Sequence, residues 1–232
     1  MDEDAVPPMD EATTLDRLVT SDVLTQDGDG VRLADPFLER VDGIRLDLDS
    51  DRSAIRSRLE AVIENGELVN SFLDVADHNL TPVAAYLALR ERLDVAEANG
   101  VQLLAVLDQF LRGPPEVSGT PDPFLPVRGD LLPPLITVAQ RGIVYFWRHD
   151  CDPCELVKGD FEAYFETTPP DMTLLAVYGP NWVDESREYE VGMAPTILFL
   201  RDGRIDARLV GAFPPKALEN EIEKVRELSG SA

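Results

Sequence analysis

The chain has 232 residues, enough for one large domain or two small ones at about 150 residues per domain. A hydrophobic share of 44% excludes wholesale disorder, because such a chain can bury a core. Its 44 acids and 21 bases leave a net charge of −23, which argues against nucleic acid as a partner, since a phosphate backbone is bound by clustered Lys and Arg.

The segment from Met1 to Asp10 is acidic and lacks the basic flank and apolar run of a signal peptide. No later stretch reaches 18 apolar residues, so the chain is expected to be soluble and cytoplasmic, with no membrane partner. A helix is predicted from about Glu11 to Thr20. Val23, Leu24 and Thr25 then face Val31, Arg32 and Leu33 across Asp27-Gly28-Asp29-Gly30, which is a hairpin signal.

Ser50 or Asp51 can cap a helix that places Ile55, Leu59, Val62 and Ile63 on one face, with Asn65-Gly66 as its stop. A second run carries Leu68, Val69, Phe72, Leu73 and Ala76. A third, after Thr81-Pro82, carries Val83, Tyr86, Leu87 and Leu93 to a stop at Asn99-Gly100, and a fourth carries Leu103, Leu104, Leu107, Phe110 and Leu111. Residues 1–112 therefore read as a mostly α-helical domain with a small β-hairpin. A helix followed by a hairpin resembles a winged-helix fragment, but residues 1–125 hold 26 acids and 10 bases, which would repel DNA. A packing or protein-contact module is the expected reading.

Residues 113–126 (GPPEVSGTPDPFLP) contain five prolines and two glycines and read as a semi-rigid linker. The pattern then alternates between strand and helix: Ile143 to Trp147, Cys154 to Glu166, Thr173 to Tyr178, a short polar helix near Asp184 to Tyr189, and Thr196 to Leu200. Asp202-Gly203 turns the chain into Ile205 to Val210, and Pro214 to Leu228 forms a last amphipathic helix. Residues 127–232 are thus expected to form an α/β sandwich.

The chain's two cysteines, Cys151 and Cys154, sit where a buried strand hands over to a helix. At a helix N-terminus the first sulfur faces unpaired N–H groups and the positive end of the dipole, which favour the nucleophilic thiolate. The i, i+3 spacing lets Cys154 resolve a mixed disulfide formed at Cys151, and Pro153 suits a first turn that needs no N–H. Zinc also uses C-x-x-C pairs, but it wants three or four ligands, and the only histidines are His78 and His149. An inert buried pair is a further alternative. No Gly-rich phosphate loop appears, and no metal or organic cofactor is expected.

From about Gly129 to the end, the chain resembles the thioredoxin family. Val144-Tyr145-Phe146-Trp147 leads into Cys151-Asp152-Pro153-Cys154, and Met193-Ala194-Pro195-Thr196 opens a later strand. The resemblance implies a thioredoxin-like sandwich, a redox-active Cys151–Cys154 disulfide and a cis Pro195. It also implies that Ala194 offers backbone groups to an extended substrate and that Gly211 keeps the groove open. Asp150 and Asp152 stand where the family usually has Trp and Gly, and two carboxylates beside Cys151 disfavour its thiolate. Tyr145 stands where the family has a buried acid, leaving that role to His149 or Asp150 or to no residue.

The acids are spread along the chain, and 18 of the 21 bases are Arg. Such self-repulsion is screened at about 1 M salt, where the Debye length is about 3 Å, so the composition suggests a salt-accumulating cytoplasm, as in halophilic archaea. The expected activity is thiol-disulfide exchange with protein disulfides, with electrons from a thioredoxin-reductase-type donor. The alternative is a non-enzymatic redox sensor or adaptor that uses the sandwich as a scaffold.

Overall fold

A computed structural model describes residues 11–28, 30–48, 51–179 and 189–227. They fall into two compact units. The first runs to Gly113 and takes in Pro133–Leu135; the second holds Pro114–Leu132 and the described chain from Ile136 onward.

The first unit opens with α1 (Glu11–Thr20) and the antiparallel hairpin β1 (Leu24–Asp27) and β2 (Gly30–Leu33), in which Leu24 faces Leu33. An unpredicted helix, α2 (Asp35–Asp47), follows, with Pro36 in its first turn. It buries Phe37, Val41 and Ile44, an i, i+4, i+7 stripe that marks one helical face. Next come α3 (Arg52–Glu60), α4 (Gly66–His78), α5 (Leu80–Arg92) and α6 (Glu97–Arg112). Asp51 caps α3 by accepting the Ser53 N–H at 3.0 Å. Helices α2 and α5 pack together, and Arg40 grips Glu91 across them with bonds of 2.6 and 2.7 Å.

Two expected stops have other roles. Helix α3 ends at Glu60, and Asn65 starts α4 by accepting the Glu67 and Leu68 N–H groups at 2.9 and 3.3 Å. An Asn-Gly pair thus caps the helix ahead of it, because a side-chain oxygen can satisfy the free N–H groups of a first turn. Asn99-Gly100 lies inside α6, where Gly100 admits the Tyr86 ring: a Cβ there would sit 3.3 Å from Tyr86 Cε2. Phe110, expected in the core, is 45% exposed.

Apart from Gly113, the expected linker is part of the second unit. Phe124 is buried against Phe161 and Tyr145, with ring centroids 4.6 and 6.4 Å away, and Leu125–Pro126 forms β3. Pro121 and Pro123 lie in the turn closed by the Phe124 N–H to the Pro121 carbonyl at 2.9 Å, and the Phe124 side chain supplies enough apolar area to draw the segment onto the sheet.

A 3-10 turn, Gly129–Leu131, leads to α7 (Leu132–Val138). Then follow β4 (Arg141–Trp147), α8 (Asp152–Tyr164), β5 (Thr173–Tyr178), β6 (Thr196–Arg201), β7 (Arg204–Val210) and α9 (Pro215–Glu227). The expected polar helix near Asp184 lies outside the described residues. The sheet order is β3-β5-β4-β6-β7, with β3 and β4 parallel to β5, and β6 antiparallel to β4 and β7. Its central strand β4 is buried from Gly142 to Trp147, which explains its unbroken apolar run. Val157 and Phe161 of α8 and Leu218, Ile222 and Val225 of α9 fill one core with the sheet. At the β6–β7 turn Gly203 has φ +75°, and a Cβ there would lie 2.7 Å from the Thr137 carbonyl oxygen, so only glycine fits. Among the described residues no helix is long and apolar enough to cross a membrane.

Candidate redox site

Strand β4 delivers Trp147 to the core edge, and Arg148, His149 and Asp150 carry the chain out to solvent. Asp150 has φ +53°, a left-handed turn that swings the backbone into α8. Cys151 is the N-cap of that helix: its Sγ accepts the Cys154 N–H at 3.3 Å, and its carbonyl accepts those of Cys154 and Glu155 at 2.8 and 3.2 Å. Pro153 sits in the first turn. The two sulfurs are bonded at 2.10 Å, with Cys151 7% and Cys154 2% exposed, so outside groups reach Cys151 first.

The segment before β6 meets this turn. The Ala194–Pro195 peptide bond is cis, and the Ala194 carbonyl oxygen lies 3.8 Å from Cys151 Sγ. The Pro195 carbonyl accepts the Gly211 N–H at 2.8 Å, while Thr196 Oγ1 donates to the Met193 carbonyl at 2.6 Å. Gly211 has φ +71°, which favours glycine, and the site a Cβ would occupy is 3.9 Å from Met193 Sδ. The fold therefore gathers Cys151, Cys154, Ala194, Pro195 and Gly211, residues up to 60 positions apart, at one end of the sheet.

The charged neighbours behave differently. His149 stacks edge-on against Trp147 and Tyr178, at 5.5 and 4.7 Å, and its Nε2 lies 3.9 Å from Glu116 Oε2. No described hydrogen bond joins it to either sulfur. Glu116 accepts the Ser118 and Val117 N–H groups at 3.0 and 3.1 Å; the Ser118 bonds foremost, then His149, hold its carboxyl below the usual range. Asp150 and Asp152 are exposed, without an ion-pair partner among the described residues. Tyr145 is fully buried and donates its hydroxyl to the Cys154 carbonyl at 2.8 Å. Burial first, and the Glu155 charge second, push its phenol far above the ordinary value, so it stays protonated at any pH of interest.

Two contributors escaped sequence reasoning because both lie in the proline-rich stretch. Glu116 reaches His149, and Gly119 packs so closely on Trp147 that a Cβ would lie 2.2 Å from its Cε3. A glycine between prolines carries no periodic signal that would reveal such packing. Among the described residues, no three His, Cys, Asp or Glu side chains come together as a metal site.

The family model described as thioredoxin matches residues 135–224. The C-terminal part of this chain is a thioredoxin-family domain. A thioredoxin of Mycoplasmoides gallisepticum is 27% identical over 89 residues, spanning 38% of this chain and 88% of that protein. One from Mycobacterium bovis is 29% identical over 83 residues, or 36% and 72% of the two chains. Among solved structures, a mutant thioredoxin from Halobacterium salinarum is similar at 26% identity, covering 47% of this chain and 95% of the other with a TM-score of 0.41. The thioredoxin-family match begins at residue 135, so Glu116 and Gly119 lie upstream of it.

Proposed function

We propose that this protein is a thiol-disulfide oxidoreductase that reduces disulfides in partner proteins through the Cys151–Cys154 dithiol. The observation that carries the reading is the position of Cys151 Sγ, at the N-terminus of α8, beside the Ala194 carbonyl and within bonding reach of Cys154. The helix N-terminus stabilises a Cys151 thiolate, and Asp150 and Asp152 oppose it.

In the reaction the Cys151 thiolate attacks one sulfur of the substrate disulfide. A Cys151–substrate disulfide forms and the substrate's other sulfur leaves as a thiolate. Cys154, as it loses its proton, then attacks Cys151 Sγ and releases the second substrate thiolate. Two electrons pass to the substrate, the two protons of the dithiol end on its thiols, and the protein is left as the disulfide described above. Ala194 supplies backbone groups to an extended substrate segment, Pro195 its platform and Gly211 the open floor. His149 does not take the place of the buried acid, since its neighbours are Trp147, Tyr178 and Glu116.

The sulfurs themselves carry the electrons, so no organic cofactor or metal takes part. A thioredoxin-reductase-type donor returns the pair to the dithiol. The setting is the salt-rich cytoplasm of a halophilic archaeon, away from membrane and nucleic acid, a reading supported by the net charge of −23 and the paucity of Lys. Residues 1–112 serve as a protein-contact domain.

Trapping tests the central claim. Full-length Cys154→Ser should accumulate mixed disulfides with protein substrates through Cys151, and Cys151→Ser should not. If wild type with dithiothreitol shows no reduction above the dithiothreitol blank, and both variants match it, the redox-sensor or scaffold reading stands instead.

A further inference from the structure

Resting on that oxidoreductase reading, we propose that the redox face selects partner disulfides flanked by Arg or Lys. The apolar frame comes first. Among the described residues, the large apolar side chains exposed in the second unit are Val117, Leu156, Met193 and Val210, at 51, 71, 55 and 47%. Each lies within two residues of the site: Leu156 of Cys154, Met193 of Pro195, Val210 of Gly211, and Val117 of the Glu116 that meets His149. Exposed apolar side chains close along the chain to a reactive sulfur and its neighbours mark where a partner chain lies down.

Charge on that rim is then the discriminating feature. Asp150, Asp152 and Glu155 stand within four residues of Cys151, all exposed and none in an ion pair among the described residues. Elsewhere among the unit's described residues some acids are matched by bases (Asp171 by Arg141 at 3.6 Å, Asp206 by Arg201 at 2.8 Å, Glu190 by Arg208 at 3.1 Å, Glu219 by Lys216 at 2.9 Å, and Glu162 by Lys158) and others, such as Asp202 and Glu223, are not, so what sets these three apart is their place beside Cys151. Arg148 is the one cation on the same exposed stretch, so residues 148–155 keep a net charge of −2 with His149 neutral. A segment bringing Arg or Lys beside its cysteine gains partners for carboxylates that have none, while an acidic segment meets like charge at contact distance. Salt at cytoplasmic strength screens the long-range part of this field and leaves the contact pairs.

Three synthetic peptides with the same intramolecular disulfide, flanked by Arg, Ser or Glu, test the proposal. Pre-reduced full-length protein is mixed with each at the lowest salt that keeps its native circular dichroism. Each rate is divided by that of dithiothreitol, an uncharged dithiol, on the same peptide, which removes the peptides' intrinsic reactivity. With each exposed pair changing an equilibrium by about 1.5- to 5-fold, the Arg peptide should outrun the Glu peptide about three- to ten-fold. That ratio should shrink but stay above one at about 2 M KCl, where only contact pairs survive, and fall toward one in the double variant D150N/D152N. Asn tolerates the left-handed turn at position 150, so the backbone is kept. The neutral variant alters Cys151 acidity for all three peptides alike, so the ratio isolates docking from nucleophilicity. Arg and Glu peptides reduced within two-fold of one another by wild type, or a ratio unmoved in the variant, overturn the charge selection. Failure to reduce any of the three overturns the oxidoreductase reading itself.

Discussion

Replacing Gly119 by Ala probes the proline-rich strap where it meets the site. Its φ lies outside the left-handed region, so only space opposes a side chain there. The added Cβ would stand 2.2, 2.4 and 2.7 Å from three atoms of the Trp147 indole, against about 3.5 to 4 Å for relaxed carbon contacts. The ring or the strap must retreat by more than about 1 Å. Trp147 is only 1% exposed and is flanked by Tyr178 at 4.9 Å and His149 at 5.5 Å, so the ring has nowhere to go. Overpacking of this kind costs about 1 to 3 kcal/mol. Gly159→Ala is the internal control: Gly159 lies inside α8 with nothing within 4 Å of a Cβ, and Ala there should stabilise by about 0.5 to 1 kcal/mol. Denaturation followed by tryptophan emission reads the second unit, because both tryptophans, Trp147 and Trp182, follow residue 135. Opposite signs for the two variants are expected. A Gly119→Ala loss under about 0.5 kcal/mol with unchanged emission would refute the packing of the strap on Trp147.

Tyr145→Phe should cost about 1 kcal/mol through the lost bond to the Cys154 carbonyl. It should leave the pH profile of disulfide reduction in place, because the buried phenol never ionises; a displaced profile would make Tyr145 a proton carrier. The half-exposed Glu91, whose carboxyl is lowered by its bonds to Arg40, supports the first unit above the ordinary value of about 4.5, and that support is lost as pH falls through the lowered one. Glu91→Gln should therefore be the less stable chain at pH 7, by under about 1 kcal/mol because solvent screens the pair, and match wild type at low pH. An equal gap in urea midpoints at both pH values would count against this.

Much of the site was legible one residue at a time. Cys151 and Cys154 announce a redox pair by falling between the apolar run Val144 to Trp147 and a helix, and Asp202-Gly203 announces the β6–β7 turn, because strand, turn and helix periods are local properties of a chain. Local signals also misled. Asn65-Gly66 and Asn99-Gly100 contain residues suited to either end of a helix or to close packing, and only the neighbours decide which: free N–H groups ahead of Asn65, the Tyr86 ring beside Gly100. Helix α2 was missed although Phe37, Val41 and Ile44 carry its spacing, since its N-cap Ala34 provides no side-chain cap.

By itself, then, the amino-acid order determined the charge, the position of the sulfur pair at a helix start and the alternation of strand and helix. Tertiary structure alone decided that Ala194 meets the cysteine turn and Gly211 the Pro195 carbonyl, that His149 turns to Glu116 and two aromatic rings, and that a stretch rich in proline belongs to the core. The division has a physical cause. Periodicity and capping act over one or two turns of chain, whereas these contacts join residues 16 to 43 positions apart or hang on one glycine against one indole, and only the packed sheet brings such partners together.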